Sequence, residues 1–379
     1  MKRAKCLLVV LGILAAVACT STVSQPSVPS SSGGASPTGT LTGGSPPSGT
    51  IVFNRLDSDG IAVYRLDLGT SAEQRIREVD DFVTLSPDGD RFFTAVPRPD
   101  DGRIGPVSFD VDGSGYAMLP APDPTLQMGA GMWSPDGSSF LVGGWDDTDP
   151  SRAGLYTIGS VDGSPLVRLT DPGNPPSDHP VAYSPDGSRV LFIREKPPYD
   201  HSGPMNVFVV RNDGSGLVRL NPPKTTSLLD GQSWSPDGGQ VAVVASRDGH
   251  DGNAVFVVNV DGTNAHRITP WSVTLRAEWS PDGEWIVFDK ADAEPVPRDL
   301  FLVHPDGTGL TQITSHDGDN KMSFAPVWSK DSKTLLFIRR EYTADGTDLW
   351  TVNVDGTGIF QVTHLPAEYT GYRWLPSTG

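Results

Sequence analysis

Histidines and aspartates are the residues of this chain equipped for chemistry, and their spacing decides which chemistry is open to it. The sequence holds seven His in 379 residues. None forms an H-E-x-x-H pair, and none stands beside a Cys at zinc-ligand spacing. Acidic clusters at Asp146-Asp147-Asp149, Asp248-Asp251 and Asp317-Asp319 offer oxygens suited to Ca²⁺. Each lacks the EF-hand spacing with its closing Glu, so they read as solvated loop acids. Neither a G-x-S-x-G elbow nor a P-loop is present. Spacing therefore names no catalytic residue, no metal set and no cofactor.

One aspartate does recur. Trp279-Ser280-Pro281-Asp282-Gly283 returns as Leu85 to Gly89, Trp133 to Gly137, Tyr183 to Gly187 and Trp234 to Gly238. It decays to Trp328-Ser329-Lys330-Asp331-Ser332 and ends as Trp374-Leu375-Pro376-Ser377. Successive copies lie 45 to 51 residues apart. A carboxylate repeated in six of the seven periods marks a turn rather than a metal site. Pro presets φ, Asp accepts local backbone hydrogen bonds, and Gly takes the geometry that remains.

The elements around that turn are short strands. In one period, Leu275 to Trp279, Trp285 to Asp289, Asp299 to Val303 and Leu310 to Ile313 read as four strands. Second strands recur at Arg91 to Val96, Phe140 to Gly144, Arg189 to Arg194, Gln240 to Ala245 and Thr334 to Arg339. Third strands run into Asp-Gly turns at Asp213-Gly214, Asp261-Gly262 and Asp355-Gly356, and fourth strands end in Arg168-Leu169-Thr170 or its equivalents. Thr50 to Asn54, Ile61 to Asp67 and Gln74 to Val79 lack a first strand, and Gly371 to Leu375 supplies it. The expected fold is all-β: a seven-bladed β-propeller with four antiparallel strands per blade. Its last blade is closed by the carboxy-terminal strand and three amino-terminal strands.

The pattern W-S-P-D-G, then an apolar strand ending in D-G-T, then R/Q-L/I-T, resembles the TolB-type, WD40-like propeller repeats over about Thr50 to Pro376. The resemblance implies the fold. It leaves function open, because such repeats occur in partner-binding periplasmic proteins, in peptidases and in polysaccharide lyases. TolB itself carries an α/β domain before its propeller, where this chain has a Ser/Thr/Pro/Gly-rich stretch.

Residues 1–18 read as a signal peptide, with Lys2, Arg3 and Lys5 ahead of the apolar run Leu7 to Ala18. Ala16-Val17-Ala18-Cys19 resembles a bacterial lipobox, which implies lipidation at Cys19. Residues 19–49 form a disordered tether with no charged side chain, and 50–376 form the propeller. The expected location is a lipid-anchored one on the extracytoplasmic side of the cell membrane, in the periplasm or at the cell surface. The formal charge is −17, which disfavours nucleic acid and anionic lipid, so the membrane is reached through the anchor alone.

Short S-P-D-G and D-G-T turns belong to one face of the ring, and longer loops to the other, where function tends to concentrate. Candidates on the loop face are Trp145, Arg152, Tyr199, His201, Arg247, His250, His316 and Tyr342. Candidates at the channel mouth are His179, Arg276, Glu278 and Arg373. Aromatic residues and Arg are the types enriched at binding hot spots. The expectation is a monomeric, non-catalytic module binding an envelope protein or a small-molecule or glycan ligand. The alternative is a lyase or glycoside hydrolase with its site at the channel.

Overall fold

The computed structural model describes residues 47–80, 83–173, 177–195, 205–247, 252–272, 274–291, 298–315, 321–341, 346–365 and 367–375. Residues 1–46, which include the segment read as a signal peptide, Cys19 and most of the stretch read as a tether, lie outside them, as do Tyr199, His201, His250, His316 and Tyr342. The described strands form seven four-stranded antiparallel sheets. Blade one begins at Thr84–Leu85, and blades two to six begin at Gln127–Trp133, Ser177–Tyr183, Thr225–Trp234, Ala277–Trp279 and Lys321–Trp328. Blade seven is composite: Glu368–Trp374 pairs with Thr50–Asp57, followed by Gly60–Asp67 and Ala72–Val79. Inner strands neighbour inner strands of adjacent blades, which puts them around the ring axis.

The second strand of each blade is covered on both faces, so its sequence is continuously apolar rather than alternating. In blade three, Val190 and Phe192 pack toward blade two with Leu141 and Leu155. Their neighbours Leu191 and Ile193 pack toward blade four with Val241 and Val243. Seven such clusters fill the seven interfaces between blades. Each repeat anchor joins the cluster shared with the preceding blade, as Trp234, Trp279 and Trp328 show, each less than 10% exposed. Trp133 Nε1 and Trp328 Nε1 also donate to the Thr84 and Glu278 carbonyls of the blade before, at 3.2 and 3.1 Å.

The S-P-D-G turn is a closed local hydrogen-bond unit. Ser280 Oγ accepts from Trp285 N–H at 2.9 Å and donates to Asp282 Oδ1 at 2.6 Å, and the same Oδ1 accepts from Glu284 N–H at 3.0 Å. The Ser–Asp bond recurs at Ser86, Ser134, Ser184, Ser235 and Ser329. These donors hold Asp88, Asp136, Asp237 and Asp331 below the usual carboxylate range and bring Asp186 down to about 2. The aspartate is thus a turn residue in each of the six copies that carry it. The closing Thr of R/Q-L/I-T has a matching role: Thr170, Thr269, Thr314 and Thr363 each accept, at 2.9 Å, the first ladder N–H of the third strand. The fourth strand is only two or three residues long in blades one to six, and the hydroxyl continues the ladder where the strand gives out.

Several strand boundaries differ from the sequence reading: the closing strand is Glu368–Trp374 rather than Gly371 to Leu375, and blade five shows three more with a clear cause. The second strand of blade five starts at Ile286, because the N–H and C=O of Trp285 are both engaged with Ser280. Its first strand starts at Ala277 rather than Leu275, because Leu275 and Arg276 N–H point to the Asp289 carboxylate instead of a neighbouring strand. Its fourth strand is Thr311–Gln312 rather than Leu310 to Ile313, because Thr314 has taken over the capping bond. Inner strands of blades two, three, four, six and seven each carry a register shift, the signature of a β-bulge. In blade seven the shift falls at Gly371, whose φ is +56°.

Candidate functional site

The inner strands bring three of the sequence candidates together. Arg276 precedes and Glu278 lies within the first strand of blade five, and Arg373 lies in the closing strand of blade seven. Blade six stands between those blades, so Arg373 and Glu278 act on one another from different sheets rather than along one. Glu278 is half-buried, and burial pushes its carboxyl above the usual range while Arg373 and then Arg276 pull it back. Burial likewise raises the Tyr372 phenol, against the same two guanidinium groups. Tyr372 O–H donates to the Ala325 carbonyl of blade six, and Arg373 Nη1 donates to the Tyr372 carbonyl at 3.1 Å. One carboxyl and two cations thus influence one another and the buried Tyr372, in a protein whose overall charge is strongly negative.

Asp289 holds this cluster from behind. It is 1% exposed, and its Oδ1 accepts from Leu275 N–H at 3.1 Å and Arg276 N–H at 3.0 Å. Burial raises its carboxyl, and Arg298, 3.4 Å from Oδ2, is the chief counterweight. The sequence signal was an acid ending an otherwise apolar strand, where a solvated residue or a paired one fits equally well. Tyr372 gave no such signal.

His179 stands apart, in blade three, sharing a 3.2 Å hydrogen bond between Nε2 and Oε2 of the buried Glu195. Beside it Arg194 holds Asp178 in a two-pronged pair at 2.6 and 2.8 Å.

The loop-face candidates divide. Arg152 is committed to structure: it donates to Asp146 Oδ2 at 2.8 Å, to Thr125 Oγ1 at 2.6 Å and to Asp123, tying blade two to the loop before it. The reading of Asp146 as a solvated loop acid is corrected here. It is 6% exposed, and Thr148 together with Arg152 brings its carboxyl down to about 2. Trp145 ends the second strand of blade two, half-buried beside Gly129. Arg247 is exposed and lies 5.3 Å over the Trp271 ring, with Arg267 at 5.4 Å from the same ring. Among the described residues no three His, Cys, Asp or Glu gather as a metal site.

No family model matches the chain. Two curated proteins share segments with it. The uncharacterized peptidase YuxL of Bacillus subtilis is 26% identical over 166 residues, which are 39% of this chain and 23% of that protein. A TolB homolog of Chlorobium luteolum is 27% identical over 141 residues, 37% and 30% of the two chains. The chain thus spans less than a third of the length of these curated relatives. Among solved structures, an oligogalacturonate lyase in complex with manganese superposes with a TM-score of 0.62 and 18% identity, over 80% of this chain and 85% of that one. That likeness is one of fold. The shared segments and the seven closed blades agree with the W-S-P-D-G pattern: the chain carries TolB-type propeller repeats.

Proposed function

We propose that this protein is a lipid-anchored, extracytoplasmic module of the cell envelope that binds a protein partner or a ligand at the channel without chemistry of its own. The observation that carries the reading is the Arg276–Glu278–Arg373 cluster. Two guanidinium groups that act on one half-buried carboxyl, on or beside strands held by a fixed ring of blades, suit a preorganised recognition point. Arg is also the residue type whose planar fork reads carboxylates and carbonyls directionally. The anchor at Cys19 and the tether to residue 49 belong to the same proposal and rest on the sequence alone.

The test is a pull-down from the native envelope with the full chain and with an Arg276→Met/Arg373→Met double variant, identified by mass spectrometry. A stoichiometric partner held by the native chain and lost from the variant supports the module. Equal recovery on both removes the channel from the reading.

One observation favours the enzymatic alternative, a carbohydrate lyase or hydrolase. A carboxyl pushed up by burial, as Glu278 is, suits a general acid. Incubation with polygalacturonate and with neutral glycans separates the two. New reducing ends or an unsaturated, ultraviolet-absorbing product, abolished by Glu278→Gln, would establish turnover and displace the binding reading.

A further inference from the structure

The repeat leaves room at the junction of blades two and three. Six residues on from the anchors of blades one to six stand Arg91, Ser139, Arg189, Gln240, Trp285 and Thr334. Ser139 is the smallest of them. The anchor of the following blade is Tyr183, the one anchor that ends in a hydroxyl. The two meet between the blades, with Ser139 Oγ 3.4 Å from Tyr183 Oη. Both line a cavity of about 570 Å³, within the range of small-ligand sites. Its walls all belong to described strands and turns of blades two and three, chiefly the turn from Ser134 to Ser139 and the turn from Tyr183 to Ser188.

Two independent features mark this groove as a site. Tyr183 is 8% exposed, and its hydroxyl has one polar contact, the 3.4 Å approach to Ser139. That is longer than the roughly 2.5–3.0 Å of an O–H···O hydrogen bond. A buried hydroxyl so loosely partnered keeps donor and acceptor capacity for a guest. The second feature is charge. The walls carry the carboxylates of Asp136 and Asp186, the hydroxyls of four serines, Thr157 and Tyr183, and the Asn212 amide, with no Lys, Arg or His. Hydrogen bonds within their own turns keep both acids ionised, Asp136 below the usual carboxylate range and Asp186 at about 2. Arg189 acts on Asp186 from outside the walls.

The lining fixes the chemistry of the guest. Asp136 commits Oδ1 to Ser134 and Ser138, and its Oδ2 has no hydrogen bond among the described residues. Asp186 Oδ2 accepts only from Ser188 Oγ, at 2.8 Å. Asn212 Nδ2 donates to the Gly187 carbonyl at 3.1 Å, which leaves its amide oxygen to accept. The walls thus offer acceptors and negative charge, and the net charge of −17 adds to the same field. Such a groove repels carboxylates and phosphates. It suits ammonium groups, which carry three donors and no acceptor. One carboxylate on each of two neighbouring turns calls for a guest with more than one such group. We propose that the groove between blades two and three binds a short linear polyamine, separately from the channel and from the function proposed for it.

The experiment follows the amide resonances of Ser138 and Ser188 in the full chain during titration with spermidine and with triethylene glycol, a neutral chain of similar length. The expected result is a saturable shift with spermidine and none with the glycol. Asp136→Asn and Asp186→Asn keep an acceptor for the turn and remove its charge, and each is expected to weaken binding about fivefold. Ser139→Arg introduces the residue that blades one and three carry at this position, sets a guanidinium at the groove and should abolish binding. Asp237→Asn makes the same change in the blade-four turn, outside the groove, and should leave affinity unchanged. The proposal is overturned if spermidine leaves both resonances unmoved at millimolar concentration, or if the glycol shifts them equally. Unchanged affinity in Ser139→Arg with its thermal unfolding intact overturns it too, as does a loss in Asp237→Asn equal to that in Asp136→Asn. Tighter binding of Ca²⁺ than of spermidine at the same resonances would replace the polyamine with a metal ion.

Discussion

Ser280→Ala tests whether the repeated turn is held by its serine or by its aspartate. Ser280 is wholly buried, and its Oγ is the partner of Trp285 N–H at 2.9 Å. Alanine leaves that N–H without an acceptor in a place closed to water, which costs about 1–3 kcal/mol. Asp282 is exposed, so water replaces it for Glu284 N–H once its carboxylate is removed. The Ser280 hydroxyl can then turn toward the Trp285 carbonyl, as Ser184 and Ser235 already do toward the equivalent carbonyls of Arg189 and Gln240. Asp282→Ala should therefore cost about half as much or less, roughly 0.5–1 kcal/mol. At about 2.1 cal/mol/K per residue over roughly 330 folded residues, a loss of about 2 kcal/mol lowers the melting temperature by about 3 °C. Calorimetry on both variants, with hydrogen exchange at the Trp285 amide, reads the difference. A larger loss for Asp282→Ala than for Ser280→Ala would refute the assignment, and so would an unchanged Trp285 exchange rate in Ser280→Ala.

Three further outcomes follow from the same interactions. Thr314→Val strips the acceptor from Leu300 N–H and should lower stability by about 1–3 kcal/mol in urea denaturation; a loss below about 0.5 kcal/mol would mean the hydroxyl does not extend the ladder. Gly131→Ala places a methyl 1.9 Å from the Leu141 carbonyl oxygen, a backbone atom that cannot swing aside, so the variant should lose about 3 kcal/mol or fail to accumulate as folded protein; native melting would show that blade two yields easily. Acid should destabilise the turns over a defined window. Asp186 has a folded pKa of about 2 against about 3.9 unfolded, so its contribution is complete above pH ~4 and lost as pH falls toward 2. Asp186→Asn should flatten the melting temperature against pH in that interval, and parallel curves would contradict the linkage.

The sequence by itself determined the blade. A run such as Val190 to Ile193 can be buried on both faces only as a strand between two neighbours, and Ser-Pro-Asp-Gly closes its hydrogen bonds within six residues. Both are local facts, and counting them around the chain was enough to give seven blades and their closure. The tertiary structure alone decided what meets what. Glu278 and Arg373 were each placed near the channel by their position beside an anchor, but only ring closure carries blade seven's strand within electrostatic reach of blade five's. Arg152 looked like a free surface cation until Asp123 and Asp146 closed on it from two loops.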